Sequence, residues 1–270
     1  MSYELVLADW AGGRLHGLLS HPSAIERVGL AIHVHGTWGN FYGNDVVAEL
    51  GRVYNEHGYS FLAANFSGHD ENSIYEEFET FPASLVAWLD AVPVQGRLIL
   101  QGHSLGALKI LYLASSGRLK SIDPHAIFML SVFDSVGFYE RETRVNETLH
   151  AYLKTLVESA GDRVIVPETA FPHWQISAST LRAATTERGS WDQFPSRLGA
   201  VGALEALSVP TAVLIGSEDF ASVPDPYAVS DLLGSMRHLR SALIDGAPHN
   251  FAGKEAEAAR FLTEWLSAVG

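Results

Sequence analysis

The sequence predicts an α/β fold built on a mainly parallel central sheet with helices on both faces. Three observations predict it. Short apolar runs of strand length alternate with runs of helical period along most of the chain. The strand runs are nearly continuous in apolar residues rather than alternating, as expected for strands covered on both faces. At 270 residues and 47% hydrophobic, the chain is long enough to bury a large core without disulfides or metal.

The elements follow in order. Two early strands, near 4–10 and 13–20, read as an antiparallel hairpin around Ala11-Gly12-Gly13. The apolar run Val28–Gly36 is the next strand. Val46, Val47, Leu50, Val53 and Tyr54 then recur at helical spacing and stop at Gly58. Ser60–Phe66 reads as a strand, 82–91 as a helix, Arg97–Gln101 as a strand, 105–116 as a helix and Ala126–Phe133 as a strand. After Phe133 the rhythm breaks. It resumes with a strand at Pro210–Ile215, a helix at 225–234, a strand at His238–Ile244 and a closing helix at Glu255–Val269. Residues 135–207 are too many for a simple loop. They read as a helical cap inserted over the carboxyl ends of the strands, with residues 1–134 and 208–270 forming the core.

Composition narrows the function. The formal charge of −13 and pI near 5.3 argue against nucleic acid and anionic membranes as partners. There is no cysteine, so thiol nucleophiles and thiolate metal sites are excluded. The start of the chain has no basic segment followed by an apolar one, and no apolar run reaches about 18 residues. A cytoplasmic protein is expected, and the sequence does not set its oligomeric state.

The chemistry centres on Gly102-His103-Ser104-Leu105-Gly106. A buried strand leads in and a helix pattern leads out. This is the setting of a nucleophile elbow, in which a serine sits on a sharp strand-to-helix turn. Ser104 then stands at a helix N-terminus, where backbone N–H groups meet a developing oxyanion. Leu105 supplies one such N–H. His35-Gly36-Thr37-Trp38-Gly39, at the end of an earlier strand, supplies the other, most simply from Thr37. His33 and His35 share a strand face, but no neighbouring carboxylate or third histidine completes a metal site.

A general base is expected late in the chain. His249, in Gly246-Ala-Pro-His-Asn-Phe, follows the last strand. Asp219, in Gly216-Ser-Glu-Asp-Phe, follows the preceding strand and is the expected acid, with Glu218 and Asp225 near enough to compete. His69 and Asp70, on another loop at the same edge, read as loop residues without a catalytic role.

Together these segments resemble the α/β-hydrolase superfamily over essentially the whole chain. The segments His35–Tyr42, Ser177–Leu181 and Ala247–Glu255 are also similar to a branch that includes ester hydrolases acting on siderophores and related secondary metabolites. The resemblance implies acyl transfer to water by Ser104, His249 and Asp219, with no cofactor and no metal, on a small-molecule acyl substrate. The serine at the elbow, where an aspartate is absent, argues against dehalogenase and epoxide-hydrolase members. Trp38, Tyr42, His103 and Trp174 are expected to bind substrate. Phe171, His173 and Trp191 are further candidates to line the pocket or to pack the cap. Thioester cleavage, carbon–carbon cleavage and ring closure remain open to the same triad. A binding protein that uses the fold without catalysis is the rival from another class.

Overall fold

The computed structural model describes residues 2–23, 26–143 and 175–269, and between the last two segments residues 151, 155, 158, 161 and 163–166. β1 (Ser2–Trp10) and β2 (Gly13–His21) form the expected hairpin, closed at Trp10 and Gly13. β3 (Gly29–Val34) leads to α1 (Asp45–Glu56), whose first turn is capped by Asn44 accepting from the N–H of Val46. β4 (Tyr59–Ala64), α2 (Phe81–Ala91), β5 (Arg97–His103) and α3 (Leu105–Ser115) follow. Next come a short α4 (Leu119–Ile122), which the sequence pattern misses, and β6 (Ala126–Leu130). α5 (Ser135–Thr143) and α6 (Ala178–Thr185) lie in the inserted stretch. β7 (Thr211–Glu218), α7 (Pro226–Gly234), β8 (Leu239–Pro248) and α8 (Glu255–Val269) complete the chain. No helix among the described residues is long and apolar enough to cross a membrane.

The eight strands form one sheet in the order β1-β2-β4-β3-β5-β6-β7-β8. β1–β2 and β2–β4 pair antiparallel, and every other pair is parallel. Helices cover both faces because the strands are apolar on both. On one face, Ala31, Phe61, Ile99, Phe128 and Leu214 pack against Leu50 and Tyr54 of α1 and Leu262 and Trp265 of α8. On the other, Ile32, Leu62, Leu100 and Met129 pack with Leu85 and Trp88 of α2 and Leu108 and Leu111 of α3. Each fully buried leucine or isoleucine contributes about 1.5–3 kcal/mol through its transfer from water.

Strand order reverses direction at β3, which pairs with β4 on one side and β5 on the other. A crevice opens outside the carboxyl ends of strands at such a switch point. The loops after β3 and β5 meet there, and they carry Thr37 and Ser104.

Several strand ends differ from the sequence reading. β6 stops at Leu130 rather than Phe133, because Ser131 adopts a left-handed backbone conformation (φ 49°) that ends the extended run. β7 and β8 run further than expected. Their pairing continues past an irregularity between Gly216 and Glu218, so that Glu218 pairs with Pro248. Asp219 and His249 therefore leave the ends of two neighbouring, hydrogen-bonded strands.

The insertion is tied down at named points. Ser177 caps α6, its N–H donates to the carbonyl of Ile74, and the hydroxyl of Thr180 donates to the same carbonyl (3.0 Å). Trp191, a candidate in the sequence either to line the pocket or to pack the cap, is buried and stacked on Phe78, with ring centroids 4.7 Å apart. Its large apolar ring fits the core better than a solvent-lined wall. Asp134, fully buried at the start of α5, accepts from the backbone N–H and the guanidinium of Arg197, both at 2.7 Å. Phe171, His173 and Trp174 lie outside the described residues.

Candidate active site

The elbow is built by close approach of backbone to backbone. A side chain at Gly106 would run into the carbonyl of Val34, and one at Gly102 would come within 2.7 Å of Ala107. Only glycine at both positions lets β3, β5 and α3 converge. Ser104 sits between them with φ 55° and ψ −122°, a conformation that costs an L-residue energy and persists because its surroundings hold it. Such backbone recurs around the crevice. Of seven non-glycine residues with positive φ among those described, Trp38, Asp70, Ser104, Ser131 and Phe251 all lie on loops at the carboxyl ends of strands.

Ser104, His249 and Asp219 come together in one hydrogen-bonded row. Ser104 Oγ lies 2.8 Å from His249 Nε2, and His249 Nδ1 lies 2.6 Å from Asp219 Oδ1. A carboxylate can only accept, so the proton is on Nδ1, and Nε2 is left to accept from the serine hydroxyl. Asp219 is almost fully buried. Burial by itself would raise its pKa. The hydrogen bond and charge of His249, the nearby Ser131 hydroxyl and the N–H of Ala221 together outweigh burial and hold the pKa below the usual carboxylate value. Glu218 is exposed, and Asp225 caps α7 by accepting from the N–H groups of Tyr227 and Ala228.

The backbone carbonyl of His249 is held from two sides. His103 Nε2–H donates to it at 2.9 Å and the Ser131 hydroxyl at 2.8 Å. His103, expected to bind substrate, thus reaches from the elbow to the segment carrying the histidine, while still lining the cavity. Burial and then the neighbouring His249 push its pKa down to about 4, so it is a neutral donor. Ser131 was not apparent in the sequence, since nothing in Leu130-Ser-Val-Phe sets it apart from other strand-end serines.

The loop after β3 is fixed by His35. Its Nδ1–H donates to the carbonyl of Gly36 (2.8 Å), and its Nε2 accepts from the N–H of Phe66 (3.0 Å). This requires a neutral ring, and burial accordingly pushes its pKa well below the ordinary value. Gly36 then abuts the serine: a Cβ there would stand 2.9 Å from Ser104 Cβ. Thr37 follows on the cavity wall. Across from it, Leu105 is the first residue of α3, where N–H groups have no intrahelical acceptor. Asp70 steadies the outer part of the same loop by accepting from Asn40 Nδ2 (2.9 Å) and the Tyr42 hydroxyl (3.2 Å).

A cavity of about 410 Å³ opens over Ser104. One wall is aromatic: Phe133, Phe138, Tyr139 and Phe220. The rings of Phe220 and Phe133 lie 5.0 and 6.3 Å from that of His249. Nothing in their sequence setting singles out these four over other aromatics. Trp38 lines the cavity. Tyr42 does not, because its ring is exposed on the rim, edge-on to Phe41.

No protein-family model matches the chain, and no curated protein matches it in sequence. Solved structures do match over nearly its full length. A lipase in an open form superposes with a TM-score of 0.72 at 13% identity, covering 99% of both chains. The chain has the α/β-hydrolase fold. The siderophore hydrolase EstB from Aspergillus fumigatus gives 0.70 at 16% identity, covering 99% of this chain and 98% of that one. Est1E from Butyrivibrio proteoclasticus, in a structure with ferulic acid bound, gives 0.68 at 19% identity, with 97% and 98% covered. In the α/β-hydrolase fold the chain order nucleophile, acid, histidine is the order of Ser104, Asp219 and His249 here.

Proposed function

We propose that this protein is a serine hydrolase that cleaves an ester or related acyl bond of a small molecule through an acyl-enzyme. The observation that carries the reading is the row Ser104 Oγ, His249 Nε2 and Nδ1, Asp219 Oδ1, with spacings of 2.8 and 2.6 Å beneath an open cavity. His249 takes the Ser104 proton as Oγ attacks the substrate carbonyl. The N–H groups of Thr37 and Leu105 receive the oxyanion. Asp219 stabilises the imidazolium, which then protonates the leaving group. Water repeats the sequence and releases the acid. No step requires a metal or cofactor. The inserted residues 135–207 act as a cap, with Phe138 and Tyr139 of α5 contributing to the aromatic wall.

The named structural neighbours also include a dienelactone hydrolase from Anabaena variabilis and a thioesterase domain from the curacin biosynthetic pathway. A panel of ester, thioester and lactone substrates therefore belongs in the assay. The decisive test is a fluorophosphonate probe. It is expected to label the folded protein once, at Ser104, and not the denatured chain. Ser104→Ala is expected to abolish labelling and turnover of a short aryl ester while the fold survives. Full turnover by Ser104→Ala, or no modification of Ser104 by either this probe or a smaller sulfonyl fluoride, rejects the reading.

A further inference from the structure

The cavity over Ser104 has a second wall, chemically unlike the aromatic one. It is formed by His33 of β3, His103, the start of α1 (Asn44 and Asp45) and the segment after β8 (Asn250 and Glu255). This wall carries two carboxylates, Asp45 and Glu255, and no lysine or arginine lines the cavity among the described residues. Two cations beside this wall have other partners: Lys254 pairs with Glu257, and Arg52 with Glu49 and Glu56.

Most polar side chains of this wall are already used by the protein. Asn44 accepts from the N–H of Val46, Asn250 from the N–H of Ala252, and His103 donates to the carbonyl of His249. His33 is different. It is 98% buried, its relative exposure being 2%, yet it lines the cavity. Gln101 Nε2 donates to its Nδ1 at 3.0 Å, which puts the ring proton on Nε2. That Nε2–H has no acceptor among the described residues. That N–H opens into the cavity, where solvent or a ligand supplies its acceptor.

We propose that this wall binds an uncharged, hydroxyl-bearing part of the substrate, with His33 Nε2–H as the donor that selects it. This rests on the acyl-transfer reading above and names the substrate class for the same site. A hydroxyl fits because it accepts from His33 and, being uncharged, is not repelled by the carboxylates of Asp45 and Glu255. An alkyl group leaves the His33 proton unmatched. A carboxylate meets two like charges in a wall that shows no offsetting cation among the described residues. The aromatic wall takes the apolar remainder. The expected substrate is therefore amphiphilic: an aromatic or other apolar part on one side of the scissile bond and a hydroxylated part on the other.

Two ester series test this without assuming which side is the leaving group. One is the hydrocinnamate esters of propanol, glycerol and glycolic acid. The other is the benzyl esters of butyric, β-hydroxybutyric and succinic acid, the last as its monoester. In one of the two series kcat/KM is expected to rank hydroxylated above alkyl above anionic. The first step is about fivefold, the worth of one neutral hydrogen bond, and the second at least about tenfold. His33→Leu is expected to bring the hydroxylated-to-alkyl ratio close to one. Asp45→Asn combined with Glu255→Gln is expected to narrow the alkyl-to-anionic gap by about threefold or more. Each variant is read as a ratio, so a general loss of activity does not mimic the result.

A hydroxylated-to-alkyl ratio of one or below in both series overturns the proposal. So does an equal loss on both substrates in His33→Leu. If His33→Leu fails to fold, the double variant decides, since an unchanged anionic gap in it also overturns the proposal. Fluorophosphonate labelling is run in parallel. Wild-type protein that labels at Ser104 but ranks the esters wrongly rejects only the substrate class. Protein that neither labels nor turns over any ester rejects the acyl-transfer reading itself.

Discussion

Asp219→Asn tests the electrostatics of the site, and its outcome follows from which oxygen does what. Asp219 Oδ1 accepts from both His249 Nδ1 (2.6 Å) and the N–H of Ala221 (2.9 Å), whereas the buried Oδ2 makes no hydrogen bond. An asparagine must keep its oxygen where two donors converge, so its amide nitrogen takes the Oδ2 position, near Ser131. The histidine tautomer survives, and what is lost is the negative charge. A carboxylate and an imidazolium about 4 Å apart interact by about 4 kcal/mol at an effective dielectric near 20. At about 1.4 kcal/mol per tenfold, kcat is expected to fall about a thousandfold with KM little changed. A forced wrong tautomer costs about ten thousandfold, so the size of the loss separates the two mechanisms. The assay is steady-state turnover of an aryl ester, with Asp225→Asn as the control. Asn caps a helix as well as Asp does, so the control should stay within about twofold of wild type. An Asp219→Asn protein that keeps more than a tenth of wild-type kcat refutes the assignment of Asp219 as the charge partner.

Two further outcomes are expected. Gly36→Ala puts a methyl 2.9 Å from Ser104 Cβ and 3.1 Å from the His103 carbonyl, which pushes the Ser104 hydroxyl off His249. Its kcat/KM should drop about tenfold or more, and wild-type kinetics would show that the loop yields instead. The second outcome is acid lability. Burial, and then the proximity of His103, pushes the pKa of His33 down to about 3; that of His103 is about 4, and that of His35 lies well below the ordinary value. All three return to about 6.5 on unfolding. As pH falls below that value the unfolded chain binds protons that the folded protein refuses. Stability present above pH 6.5 is therefore lost on the way down, by about 1.4 kcal/mol per unit for each histidine. Glu76 and Asp134, whose pKa burial raises, offset part of this by taking up protons in the folded state first. Urea midpoints at pH 7 and pH 5.5 measure the balance, and a midpoint that is unchanged or higher at pH 5.5 contradicts it.

Local pattern carried much of this protein. The alternation of strand and helix runs sufficed for the core, because strands covered on both faces must be apolar throughout. Gly102 and Gly106 were legible because their constraint is local: backbone approaches that close admit only glycine, and the flanking runs identify the strand and helix joined by the turn at Ser104. Chain order pointed to Asp219 and His249, since the fold fixes which strand ends reach the turn at Ser104.

What the sequence did not contain depended on residues distant in the chain meeting in space. The grip of His103 and Ser131 on the His249 carbonyl joins positions 146 and 118 residues apart. The choice of Asp219 over Asp225 turned on β7 and β8 pairing beyond Gly216, which directs one carboxylate inward and leaves the other to cap a helix. Trp191 and Trp38 are the same residue type and similar in sequence setting, yet one is core and the other cavity wall. The unmatched N–H of His33 likewise exists only because Gln101, on the neighbouring strand, takes its other nitrogen. Hydrogen bonds and burial are properties of the assembled surroundings of an atom, and residue type and spacing along the chain do not contain them.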